Sequence, residues 1–258
     1  MRIACKTQNT AEWFQARVAC VTASNIDRAM SFLKRASGEK KAGDSSADRD
    51  RYILELATEL ITRVPAEHYV SKPMEIGAQF EGEARTEYWM TTGNEVDETG
   101  FVLHPTIDFM GSSPDGLCKG HGLEIKVPTL YTHMATLRDD VIPADYIPQM
   151  QFNMLCCELP EWDFVSYCPP DVYPELPERF RLFVKRLKAD PELHRQMEDA
   201  GVKAMQEATA LVERMTGQYP DREAKARPRS SKFEQELENS ITLEDIAWAQ
   251  AGFPKENA

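Results

Sequence analysis

Residues Ser113–Pro128 read SPDGLCKGHGLEIKVP, and the second half of that stretch, Gly122-Leu123-Glu124-Ile125-Lys126-Val127, alternates as a strand does. Successive strand side chains point to opposite faces, so Leu123, Ile125 and Val127 share the core side while Glu124 and Lys126 share the other. Asp115 sits in the turn that leaves the preceding strand, and a hairpin-like return brings its carboxylate beside Glu124. Two carboxylates there form a hard-oxygen site for Mg2+ or Mn2+, completed by water, a main-chain carbonyl and a substrate phosphate. Such a cation lowers the pKa of bound water and neutralises charge on a scissile phosphate. Lys126 then orients or helps deprotonate that water, or stabilises the transition state. An Asp-Gly pair is also a common turn, and a Glu two residues before a Lys is a common solvated strand face, so the motif needs support from the rest of the chain.

The 258-residue chain is 42% hydrophobic and 28% charged, enough to bury one enzyme-sized core. It has no apolar run of the ~18 residues that would span a membrane, and Met1–Thr10 lacks the apolar stretch of an export signal, so a soluble protein is expected. The six cysteines show no CxxC spacing and the five histidines no helical pair spacing, which points to reduced thiols and no Cys/His zinc site. A net charge of −12 runs against general affinity for phosphate. A metal-using phosphodiesterase must nevertheless gather carboxylates at its centre, and an acidic exterior steers a polyanion toward a locally basic lining.

Outward from the central motif, Trp13, Phe14 and Arg17 suggest one helix and Ile26 and Met30 another, with Ser24 or Thr22 as an N-cap. Residues 34–51 are polar and read as a loop, and structure resumes with amphipathic helices over 52–63 and 78–90. Between Gly93 and Val127, short β-branched and aromatic runs broken by Gly and Pro predict three short strands. Helices are expected over 129–138 and 145–157, a strand over 162–168, and a long helical region over 180–214 broken at Asp190-Pro191. Residues 1–215 form the expected globular domain, and 216–258 a polar linker with a terminal helix.

Four blocks occur in order: Trp13–Ser24 (WFQARVACVTAS), Gly77–Arg85 (GAQFEGEAR), Ser113–Pro128 and Tyr146–Phe152 (YIPQMQF). Together they resemble the PD-(D/E)XK nuclease superfamily, and more closely its lambda-type phage exonucleases, the viral recombinase alkaline exonucleases that act with a single-strand annealing protein. The resemblance implies an α/β (α+β) fold with a restriction-endonuclease-like core, a central mixed sheet flanked by helices. It implies Asp115 and Glu124 as metal ligands with the Ile125 carbonyl as a third, Lys126 as the catalytic lysine, and Glu81 as the helical glutamate of the same site. Gln149 and Tyr146 match residues that line it.

Arg17, with the hydroxyls of Ser24 and Thr22, matches the pocket for the 5′ phosphate of the degraded strand, where Arg grips phosphate bidentately. The loop cations Lys34, Arg35, Lys40 and Lys41 suit either a hold on the DNA backbone near the entry or a solvated mobile loop. The chain departs from the pattern in lacking a basic residue over Thr129–Thr132, and residues after 215 have no counterpart.

The resulting expectation is a Mg2+-dependent 5′-to-3′ exonuclease of linear double-stranded DNA, with Mn2+ as a substitute, that releases mononucleotides and leaves 3′ single-stranded tails. It would be a ring-shaped homotrimer, encoded by phage or prophage, working in the bacterial host cytoplasm with an annealing partner and no membrane. An endonuclease of the same fold, or a non-catalytic DNA-binding assembly protein, are the competing readings.

Overall fold

Thr10 starts the first helix: its hydroxyl accepts the Trp13 amide at 3.2 Å, which closes the first turn of α1 (Ala11–Arg17) behind strand β1 (Arg2–Cys5). The structure, a computed structural model, describes residues 1–36, 38, 40–65 and 72–220, with the backbone alone at 72–74. After α1 the chain forms a two-residue strand, β2 (Val21–Thr22), a 3-10 turn at Ala23–Asn25 and the short helix α2 (Ile26–Ala29). The expected helix cap at Ser24 or Thr22 is therefore corrected. Thr22 ends a strand and precedes the 3-10 turn without its hydroxyl capping a backbone amide, and Ser24 lies inside that turn.

Helix α3 (Ala47–Thr62) begins within the stretch expected as loop. The Ser46 hydroxyl accepts the Arg49 amide at 3.0 Å, and Arg49, only 2% exposed, pairs with Glu207 at 2.6 Å. A buried arginine, paired with a partly exposed glutamate, thus hides inside a sequence that reads as solvated. Helix α4 (Lys72–Thr92) follows.

Four strands, rather than three, fill the next segment: β3 (Phe101–Leu103), β4 (Met110–Ser112), β5 (Gly116–Cys118) and β6 (His121–Lys126). Helices α5 (Leu130–Asp139) and α6 (Ile147–Cys157) and strand β7 (Glu161–Tyr167) lie where the sequence places them. Residues 182–188 correct the long helical region. They form strand β8 (Leu182–Lys188), all seven residues of which pair antiparallel with β7. The helix begins only at Pro191, as α7 (Pro191–Thr216), where the Asp190 carboxylate accepts the Glu192 and Leu193 amides at 3.0 and 3.1 Å. The expected terminal helix lies outside the described residues.

The fold is the expected mixed α/β arrangement of strands flanked by helices, divided into two four-stranded sheets ordered β1-β3-β4-β2 and β5-β6-β7-β8. In the second sheet β6 runs antiparallel to β5 and parallel to β7, the helices α5 and α6 providing the crossover. Both faces of this sheet are covered. Leu123, Ile125, Val165 and Tyr167 pack against Ala84 and Tyr88 of α4, while Trp162 and Phe164 pack against Met150 and Met154 of α6. Gly122 admits that second layer, since a Cβ there would lie 2.3 Å from the Trp162 ring. A third core joins α2, α3, α6 and α7 beneath β2 and β4. Among the described residues all six cysteines are free thiols, and no helix is long and apolar enough to cross a membrane.

Candidate active site

The β5–β6 hairpin turns on Lys119 and Gly120 alone, with Cys118 opposite His121 and Gly116 opposite Leu123. Gly120 takes φ +90°, a conformation that glycine adopts without steric cost. This register sets Asp115, just before β5, across from Glu124. The Asp115 carboxylate accepts the Ile125 amide at 2.7 Å, which fixes it against the neighbouring strand.

Glu124 is not on an open sheet face but fully buried beneath α6. Its Oε2 accepts from Asn153 Nδ2 at 3.0 Å, and its Oε1 faces the Lys126 ammonium as an ion pair without a hydrogen bond of good geometry. The Lys126 nitrogen stands 5.2 Å from the centre of the Tyr146 ring, which itself stacks on Phe164. Gln149 is half-buried one turn before Asn153. Glu81 comes from α4 and is held by Arg85, whose guanidinium also donates to the Asp115 carbonyl at 3.0 Å.

Burial pushes the Glu124 carboxyl up to about 7, with Asp115 adding to the rise against Lys126 and Asn153. Burial and the charge of Asp115 raise Glu81 to about 7, and burial raises Asp115 as well. Burial works to lower Lys126, yet Glu124 and Asp115 outweigh it and hold the ammonium above its ordinary range. Three acidic side chains thus share the centre with the cations of Lys126 and Arg85. Among the described residues no three His, Cys, Asp or Glu side chains form a ready metal cage. The pair Asp115 and Glu124 nevertheless fits Mg2+, which binds through one or two carboxylates while keeping several waters and taking substrate phosphate oxygens.

Arg17 projects from the end of α1 to the same segment. Its Nη1 donates to the Ser113 hydroxyl at 2.8 Å, two residues before Asp115, and Trp13 Nε1 donates to that hydroxyl at 2.9 Å. The guanidinium lies 4.2 Å from the Trp13 ring centre. Thr22, Asn25 and Tyr52 line the small cavity beside it. Thr22 Oγ1 is 3.2 Å from Ser24 Oγ, but Ser24 stands exposed and does not line that cavity. The acidic residues on this rim are engaged, Glu55 by Arg28 at 2.7 Å and Glu59 by the Ala19 amide at 2.7 Å. Of the entry-loop cations, Arg35 and Lys41 stand exposed, whereas Lys40 is tied to Asp50 at 2.5 Å.

Three site residues escape sequence reasoning. Arg85 and Ser113 lie within the quoted blocks but carry no assigned role there. Asn153 falls one residue past the last block, although Tyr146, Gln149 and Asn153 are spaced i, i+3 and i+7, one face of a helix.

A family profile described as the YqaJ-like viral recombinase domain matches residues 12–160. The chain is similar to an alkaline exonuclease (LHK-Exo) from Laribacter hongkongensis, at 32% identity over 81% of this chain and 97% of that one, with a TM-score of 0.69. The same exonuclease in complex with dAMP aligns with a TM-score of 0.70. A phage-related exonuclease from Haemophilus somnus shares the fold at 16% identity over 76% of this chain and 96% of that one, with a TM-score of 0.63. An uncharacterized protein of Acanthamoeba polyphaga mimivirus is 30% identical over 120 residues, a match spanning 41% of this chain and only 20% of that relative.

Proposed function

The chain belongs to the YqaJ-like viral recombinase domain family, and on that premise we propose that it is a Mg2+-dependent exonuclease acting on linear duplex DNA. It degrades one strand from the 5′ end, releases mononucleotides and leaves 3′ single-stranded tails. The observation that carries this reading is the bond from Arg17 to Ser113, two residues ahead of Asp115. A cation suited to a terminal phosphate is thereby bonded to the segment that carries Asp115, so an anchored 5′ end would lie beside the carboxylates suited to a metal.

Asp115, Glu124 and the Ile125 carbonyl would hold Mg2+, and Mn2+ suits the same oxygens. When bound, the ion supplies an activated water and neutralises charge at the scissile phosphate. Lys126, kept cationic by its carboxylate neighbours, orients that water and balances the charge that develops on the phosphate. Tyr146 confines the ammonium to that side, and Gln149 lines the substrate path on the same helix face. Glu81, held by Arg85, adds a further carboxylate beside the centre. Arg17 takes the 5′ phosphate with Thr22 and Ser24, and Arg35, Lys40 and Lys41 track the backbone outside.

A homotrimer enclosing DNA, an annealing partner and a phage or prophage origin in a bacterial cytoplasm belong to the same proposal and rest on the resemblance to lambda-type exonucleases, with the viral recombinase family match supporting the phage-type origin. The test is digestion of 5′-phosphorylated linear duplex with Mg2+ beside a covalently closed circle. Mononucleotides from the linear substrate and an intact circle support the exonuclease. A cut circle indicates an endonuclease, and no hydrolysis with any divalent ion indicates a binding protein.

A further inference from the structure

Asn153 is fully buried on α6, and its side chain is satisfied at one end only. Nδ2 donates to Glu124 Oε2 at 3.0 Å, while Oδ1 has no hydrogen-bond partner among the described residues. A buried amide oxygen without a partner carries a desolvation cost, so packing alone favours an apolar side chain at this position. The one bond that the amide makes goes to a carboxylate of the candidate centre.

The outer torsion of a glutamate is broad, so its own rotamer does not fix the plane of the carboxylate. Two contacts do so here. Lys126 is a partly exposed ammonium on a flexible stem. Asn153 is flanked by the buried Met150 and Met154, which pack against Trp162 and Phe164 and hold that turn of helix in place. The amide is therefore the rigid member of the pair. We propose that Asn153 is a positioning residue that orients the Glu124 carboxylate toward a divalent cation and so sets the affinity of the centre for Mg2+. This inference rests on the reading of Glu124 as a ligand. Partners of this kind change metal affinity by roughly 10- to 100-fold.

The test compares full-length wild type with Asn153→Leu, which keeps the branched shape without a hydrogen-bonding atom but is larger, and with the smaller Asn153→Ser, which leaves room for water if the leucine does not fold. MgCl2 is titrated into each DNA-free protein by calorimetry, and hydrolysis is followed across Mg2+ concentrations. A folded variant should bind Mg2+ about 10- to 100-fold more weakly, yet approach the wild-type rate at saturating Mg2+. A merely structural residue would lower Tm and leave the Mg2+ Kd unmoved, and a wild-type Kd in either folded variant overturns the inference. Wild-type protein that takes up no Mg2+ would remove the metal-centre reading itself, and this inference with it.

Discussion

Asp115 Oδ2 accepts the Ile125 amide hydrogen at 2.7 Å, so one carboxylate of the centre is fixed by the backbone of the strand that carries the other. An asparagine oxygen can accept the same bond. Asp115→Asn should therefore fold, with a metal-free Tm no lower than wild type, because it also removes a negative charge facing Glu124 and Glu81. Hydrolysis should fall by roughly 100-fold or more for want of a ligand charge. Activity within a few-fold of wild type would exclude Asp115 from the centre.

Arg17→Ala removes the guanidinium that Ser113 and Trp13 hold beside the centre. A charge-assisted hydrogen bond is worth about 1.5–3 kcal/mol, or roughly 10- to 100-fold. The preference of the enzyme for 5′-phosphate over 5′-hydroxyl ends should shrink by that factor, read as the ratio of kcat/KM on the two substrates. An unchanged ratio would place the phosphate contact elsewhere.

The carboxylates make stability depend on pH. Glu124 and Glu81 rise from 4.5 to about 7, chiefly through burial. A carboxyl raised in the folded state binds more protons folded than unfolded, so its contribution to stability declines as pH climbs from the unfolded value and levels off above about 7. In EDTA, Tm should drop between about pH 5 and pH 8, and less so in Asp115→Asn. Mg2+ should restore the loss at the alkaline end and release protons on binding. A Tm that stays flat in EDTA across that window counts against carboxyls raised by burial.

How much of this was legible in the sequence varies with what the residues had to satisfy. Strand β6 was readable because Leu123 and Ile125 need a core that Glu124 and Lys126 do not share. What alternation could not say is that α6 covers the second face too, which turns Glu124 from a surface group into a buried one. Strand β8 was missed because Leu182–Lys188 mixes apolar and basic residues on an edge strand, a pattern that a helix also tolerates. The start of α3 was missed for a different reason: Arg49 is polar but its partner, Glu207, is 158 residues away. Asn153 and Ser113 likewise acquire their roles through contacts of long sequence separation, with Glu124 and Arg17.

The central claim is that Asp115, Glu124 and Lys126 form a hydrolytic centre, and the most direct measurement is the single-turnover rate of wild type and Lys126→Ala on 5′-phosphorylated linear duplex in saturating Mg2+. The account predicts a folded variant slowed by about 10²–10³-fold or more, the scale of losing one preorganised electrostatic contact. A folded Lys126→Ala that releases mononucleotides at the wild-type rate would contradict it.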